Sequence, residues 1–138
     1  VLERAVRSPL IIRVPEMAGA GKVSHALVET IDIYPTLVEL CQPSFTETSH
    51  PLDGMSLVPL LEEPEKEFRP AARSFWQRGV AIRTHNRRLI ATRTEDGWQN
   101  VELYGGEGTE PAAFDPVENL APREPETVKR LLEFLPEQ

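Results

Sequence analysis

Cysteine is nearly absent from this sequence. Cys41 is the only one in 138 residues, which excludes an internal disulfide and any zinc cluster built from thiolates, because both need several thiols. Long apolar runs are missing too: no stretch approaches the roughly 20 apolar residues that span a bilayer. Nor does a basic region lead into an apolar stretch with a small-residue cleavage site at the N-terminus. The chain is therefore expected to carry neither a membrane span nor a signal peptide. A basic surplus is also lacking. The net charge of −7 argues against nucleic acid as a partner, since counterion release rewards basic surfaces. Val1 stands first instead of Met, so the reading expects upstream sequence, on which a leader remains open.

What is present suits one modest soluble globular unit, with 40% hydrophobic and 27% charged residues. Charge is unevenly spread. From Arg69 to Thr94 the sequence has seven arginines (Arg69, Arg73, Arg78, Arg83, Arg87, Arg88, Arg93) and no acid, so this segment carries +7 and the remainder −14.

Pro9-Leu10-Ile11-Ile12-Arg13-Val14-Pro15 is a short apolar run between prolines, the pattern of a strand buried on both faces of a parallel sheet. Parallel neighbours need crossover connections, yet only eight residues precede the run. Most of its sheet is therefore expected from sequence outside this chain. Val23 to Glu29 reads as a short strand. A helix opens at Thr30 to Pro35, capped by Asp32 with Pro35 in its first turn, and Ile33, Tyr34, Leu37, Val38 and Cys41 recur at helical spacing. After a Pro, Ser, Thr and His loop, Ser56 is expected to cap a short helix through Leu57, Val58, Leu60 and Leu61, stopped at Pro64. Glu62 to Pro70 reads as a linker or surface excursion.

Beyond it the period becomes two. Ser74 to Gln77, Gly79 to Thr84, Arg87 to Thr94 and Trp98 to Tyr104 predict four strands, with His85-Asn86 and Asp96-Gly97 as turn pairs whose Asn and Gly tolerate positive φ. Pro125 starts a helix whose Val128, Leu131, Leu132 and Leu135 fall at i, i+3, i+4 and i+7, and which should cover one face of that antiparallel sheet. The fold class is thus an α/β (α+β) fragment. Residues 1–70 are expected to form the C-terminal end of a large α/β domain, the edge of a large mixed sheet with helices. Residues 71–138 are expected to form a small four-stranded antiparallel subdomain with a terminal helix.

Six phrases in this order resemble the C-terminal third of the type I sulfatases, close to the iduronate-2-sulfatase branch of that alkaline-phosphatase-like superfamily. They are Val6-Arg7-Ser8-Pro9-Leu10-Ile11-Ile12-Arg13-Val14-Pro15, Val28-Glu29-Thr30-Ile31-Asp32-Ile33-Tyr34-Pro35-Thr36-Leu37, Leu52-Asp53-Gly54-Met55-Ser56-Leu57-Val58-Pro59-Leu60-Leu61, Val80-Ala81-Ile82-Arg83-Thr84, Glu102-Leu103-Tyr104 and Glu118-Asn119-Leu120-Ala121. The sequence departs from the family at Gly105-Gly106, where Asp-Leu is usual, with a longer loop to Asp115-Pro116 and a shorter spacing from Pro116 to Asn119-Leu120. The resemblance implies hydrolysis of sulfate esters, of a sulfated carbohydrate in that branch. It also implies a formylglycine made in a C-x-P-S-R motif, a divalent cation (calcium) and an exported, periplasmic or lysosomal location. Those catalytic groups belong to the family's N-terminal domain, the expected partner of this chain. The family's sulfate-binding lysine would fall just upstream of Val1. This chain alone is accordingly expected to hold no catalytic or metal-binding residue and to be inactive. Two alternatives remain: the C-terminal part of a phosphodiester or phosphonate ester hydrolase, and a non-catalytic binding module.

Cys41-Gln42-Pro43-Ser44-Phe45 imitates the formylglycine motif, but Phe45 replaces the arginine and Cys41 ends a helix instead of starting one. Cys41 is therefore read as a small buried hydrophobe. His25, His50 and His85 are too scattered to be a metal cluster, and Asp32, Asp53, Asp96 and Asp115 sit in cap or turn contexts. Trp76, Gln77, Arg78, Arg83 and His85 are the candidates for a substrate rim. The guanidinium forks of Arg78 and Arg83 match sulfate oxygens as they match phosphate. The competing reading, which is preferred, has Trp76 in a core and the arginines facing outward on strands, paired with the acidic remainder.

Overall fold

The computed structural model describes residues 3–44, 50–105 and 118–135. The chain clusters into two compact units, one of Ile11–Arg69 and one of Val1–Leu10 with Pro70–Gln138.

In the helical unit a 3₁₀ turn, Thr30–Asp32, runs into helix α2 (Ile33–Cys41), and a short helix α3 (Val58–Glu62) follows; a first helical turn, α1 (Glu3–Val6), belongs to the other unit. Pro35 and Pro59 stand in the first turns of α2 and α3, where a missing N–H costs no hydrogen bond. Helix α2 ends at Gln42, whose backbone is left-handed at φ 43° and whose N–H donates to the Val38 carbonyl. Ser56 does not cap α3 as expected: the N-cap position falls to Leu57 with no side-chain cap bond, and Ser56 Oγ, one residue earlier, accepts only the Val58 N–H at 3.3 Å.

Three further expectations fail here. Pro9 to Pro15 forms no strand; Leu10 is 44% and Ile11 90% exposed. A parallel strand gains its hydrogen bonds only from neighbours, and none lies beside this run among the described residues. Val23 to Glu29 likewise forms no strand, and Ser24 instead donates to the Pro64 carbonyl at 2.6 Å. In α2 the helix is present, but its apolar stripe is turned outward. Thr36 is the buried residue, whereas Tyr34 and Leu37 are half exposed and Cys41 is exposed, so Cys41 is no buried hydrophobe.

The other unit holds a sheet in the order β1-β2-β3-β4, every neighbouring pair antiparallel. Its strands are β1 (Ala72–Trp76), β2 (Gly79–Arg83), β3 (Arg87–Thr94) and β4 (Gly97–Gly105). These match the four segments read from alternation. One face buries Val80, Ile82, Leu89, Ala91 and Leu103 against Leu131 of helix α4 (Pro125–Leu132), with Val128, Leu132 and Leu135 packed around them. At roughly 1.5–3 kcal/mol per fully buried large aliphatic side chain, this face is the main apolar stabilisation of the unit. A register shift between Ile90 and Thr92 on β3 accompanies Asn100 at φ 50°, the local signature of a bulge. Of the two turn pairs, only Asp96-Gly97 uses positive φ, at Gly97.

Asn119 fastens the chain after the sheet to its edge strand. Its Oδ1 accepts from the N–H groups of Leu103 and Ala121 at 3.0 Å each, and the Leu120 N–H donates to the Leu103 carbonyl at 2.8 Å. The Glu102-Leu103-Tyr104 and Glu118-Asn119-Leu120-Ala121 phrases are thus two halves of one structural joint. Asp115, the Gly- and Glu-rich loop around it and Phe45 lie outside the described residues.

Candidate functional site

Two polar clusters stand out against the apolar packing. The first is centred on Asp32, which is fully buried. It does not cap α2: its carboxylate accepts the Glu29 N–H at 2.7 Å and the Met55 N–H at 2.9 Å, and it pairs with the Arg69 guanidinium. Glu29 holds the other side of Arg69 at 2.6 Å, with both side chains only 8% exposed. One turn on, Thr36 Oγ1 donates to the Asp32 carbonyl at 2.6 Å and accepts the Leu57 N–H at 2.8 Å. A carboxylate sunk this deep is tolerable only because its oxygens are taken up by N–H groups and a cation.

Gly54 makes this arrangement possible. A Cβ there would lie 2.1 Å from the Ile31 carbonyl oxygen, so only glycine lets the 53–57 backbone approach closely enough for Met55 and Leu57 to donate. The Ile31-Asp32 and Asp53-Gly54 phrases are therefore partners in one network. Arg69, read from sequence as part of a surface linker, is its cation. The available signal was Thr36, a polar residue inside an apolar helical stripe; nothing in the local sequence pointed to Arg69.

The second cluster lies on the sheet face turned away from α4. Ala81, Ile90 and Tyr104 are buried there with Trp76 packed on them, and Arg88 is fully buried with its guanidinium 5.8 Å from the Tyr104 ring centre. Arg88 stands directly across from Arg83 on one side and Tyr104 on the other. The Tyr104 hydroxyl donates to Glu102 Oε2 at 2.9 Å. Burial, that hydrogen bond and the Glu102 charge raise the phenol above its ordinary value, and Arg88 opposes them in part.

The five rim candidates do not come together. Trp76, Gln77 and Arg78 lie at the β1–β2 turn, whereas Arg83 and His85 lie at the far end of β2 and the following turn. Trp76 folds over Gly79, where a Cβ would meet the indole at 2.1 Å. Gln77 is exposed with φ 27°, a strained value for a side-chain-bearing residue, and Arg78 is exposed beside it. The Arg78 carbonyl accepts the Arg93 N–H at 2.5 Å, so the β1–β2 turn and the end of β3 share one end of the sheet. Arg83 is half buried and His85 exposed.

The arginine segment serves several purposes. Arg69 pairs with Asp32 and Glu29, Arg87 holds Glu124 through contacts of 3.1–3.3 Å, and Arg93 lies over Trp98 at 5.8 Å. Among the described residues no carboxylate pairs with Arg78. No group of three or more His, Cys, Asp or Glu side chains among them is placed to hold a metal ion. Cys41 lacks the arginine of the formylglycine motif. The described residues therefore do not build a metal or formylglycine centre, and no chemical step is assigned to one among them. No helix among the described residues is long and apolar enough to cross a membrane.

Comparison with known proteins agrees on one family. The family model for the C-terminal region of N-sulphoglucosamine sulphohydrolase matches residues 1–107. Arylsulfatase K of Gallus gallus is 32% identical over 92% of this chain and 24% of its own length. N-acetylglucosamine-6-O-sulfatase of Bacteroides thetaiotaomicron is 30% identical over 73% of this chain and 20% of its own length. A protein solved in complex with its substrate D-glucosamine-2-N,6-O-disulfate superposes with a TM-score of 0.67 at 25% identity, over 91% of this chain and 26% of that one. The chain thus spans about a quarter or less of the length of the curated relatives it matches.

Proposed function

We propose that this chain, which belongs to the sulfatase C-terminal family typified by N-sulphoglucosamine sulphohydrolase, is the C-terminal portion of an enzyme that hydrolyses sulfate esters of a sulfated sugar. The observation that carries this reading is the sequence match over residues 1–107, joined to sulfatase relatives that cover most of the chain. On this reading the formylglycine, the divalent cation and their ligands lie in an N-terminal catalytic domain of the same protein. On the same reading residues 1–70 belong to that domain, and residues 71–138 form a small subdomain. Ile31, Tyr34 and Leu37, each about half exposed on successive turns, suit a surface completed by such a domain, because an isolated unit gains nothing from an apolar stripe facing water. The location proposed is exported, periplasmic or lysosomal.

Within the sulfatases, the sequence resembles the iduronate-2-sulfatase branch, while the family model, one of the two relatives and the solved structure carry amino-sugar names. A sulfated glycan built from uronate and amino sugar accommodates both. The test is to assay the longer protein and the 138-residue chain side by side. The substrates are an aryl sulfate, iduronate-2-sulfate, glucosamine-6-sulfate and an aryl phosphodiester. Sulfate release by the longer protein and none by the chain is expected. Turnover of the phosphodiester alone would sink the reading, as would turnover by the chain that Cys41→Ala abolishes.

A further inference from the structure

The end of the sheet that carries the β1–β2 turn holds an aromatic residue that the strand pattern alone did not single out. Along β1, successive side chains point to opposite faces. Trp76 takes the inner position, with its indole over Gly79 and among Ala81, Ile90 and Tyr104. The ring is fixed there, because any movement toward solvent would open the cluster beneath it. Phe75 takes the opposite face, and 61% of it is exposed, more than any other large hydrophobic among the described residues of its unit. Three residues on, Arg78 is exposed in the turn, and its carbonyl accepts the Arg93 N–H. This end therefore offers an open aromatic ring and a guanidinium that no carboxylate among the described residues neutralises. The stretch from Arg69 to Thr94 around them contains no acid at all.

A sulfated sugar presents the matching chemistry: an apolar ring face of C–H groups that stacks on an aromatic ring, and an anionic group that a guanidinium fork can hold. We infer that Phe75, and not Trp76, is the aromatic contact of this subdomain for a sulfated sugar ring, with Arg78 as its charged companion. This deepens the reading given under Proposed function and rests on it. Phe75 and Arg78 act here on capture of the sugar; the chemical step lies elsewhere.

The experiment uses the longer protein with Phe75→Ala, Phe75→Leu and Phe75→Tyr, read on a sulfated glucosamine-containing disaccharide and on an aryl sulfate. The ratio of kcat/KM for the disaccharide to that for the aryl sulfate is expected to fall about five- to tenfold in Phe75→Ala and Phe75→Leu, the scale of one aromatic contact. Phe75→Tyr should keep it within about twofold, because the ring remains. The loss should sit in KM, with the thermal midpoint unchanged. An unchanged ratio overturns the inference. So does full retention by Phe75→Leu, or a fall in thermal midpoint that accompanies the loss; either would make Phe75 an apolar packing contact. If the longer protein releases sulfate from neither compound, the proposed function fails, and calorimetric titration with the same disaccharide decides the inference separately. A five- to tenfold weaker Kd in Phe75→Ala upholds it, and equal Kd values overturn it.

Discussion

The two units solve the problem of stability in opposite ways. Among the described residues, the sheet unit contains ten of the twelve buried hydrophobics, whereas the helical unit contains Leu57 and Leu60 and is held chiefly by the Asp32, Thr36 and Arg69 network. The exposed side is reversed. Among the described residues, seven of the nine large hydrophobics open to solvent, from Ile11 to Met55, belong to the helical unit. A segment that carries an apolar stripe yet encloses little apolar core suits the proposal that another domain covers it. The sheet unit, with α4 over one face, already encloses its own core. The difference teaches that a family boundary drawn through sequence need not coincide with a unit that is complete by itself.

The largest effect should come from breaking the polar network. Arg69→Met removes the cation and leaves two acidic side chains, Asp32 and Glu29, facing one another in a buried site. Such uncompensated charge typically costs about 3–5 kcal/mol. Amide exchange at Met55 and Leu57, whose N–H groups end in this network, should accelerate strongly, while the β2 and β3 amides keep their protection. Equal loosening of both regions would show that the two units unfold as one and would dissolve the comparison.

The sheet core offers the reciprocal probe. Leu103 is fully buried, and Leu103→Ala is expected to lower stability by about 2–5 kcal/mol through lost burial and the cavity left behind. Leu37→Ala, at a residue 51% exposed, should change the 138-residue chain by within about 0.5 kcal/mol. Denaturant titration of both variants checks the contrast. A Leu37 cost approaching that of Leu103 would mean that the helical stripe is already covered in this chain.

The smallest effect concerns Tyr104. Its phenol is raised in the folded state, first by burial and then by Glu102, so the unfolded chain loses this proton at lower pH than the folded one. The native state then binds more protons, and stability is full below about pH 10, the ordinary tyrosine value, and declines as pH rises through the folded value. Tyr104→Phe should remove that decline, so the stability gap between wild type and variant narrows at alkaline pH. A gap that stays constant from neutral to alkaline pH would show that the phenol is not perturbed.

The sequence by itself determined the local elements. Alternation along Gly79 to Thr94, the Asp96-Gly97 turn and the spacing of Val128, Leu131 and Leu132 were enough to place the strands and α4, because side-chain periodicity follows directly from backbone geometry, although the helix ends at Leu132, short of Leu135. The family phrases were legible too, as a resemblance. Only the tertiary structure decided what those phrases do. Asp32 looked like a helix cap because its local setting is that of one. It is a buried ion-pair centre because Met55 and Arg69, 23 and 37 residues away, converge on it. Arg88 is likewise buried against Tyr104 instead of facing solvent, because β3 is an inner strand with neighbours on both sides. Alternation gives a strand two faces but cannot say which neighbour covers each. The segment from Leu10 to Val14 shows the same limit from the other direction: its composition is that of a buried strand, and with no partner strand beside it among the described residues its backbone forms none.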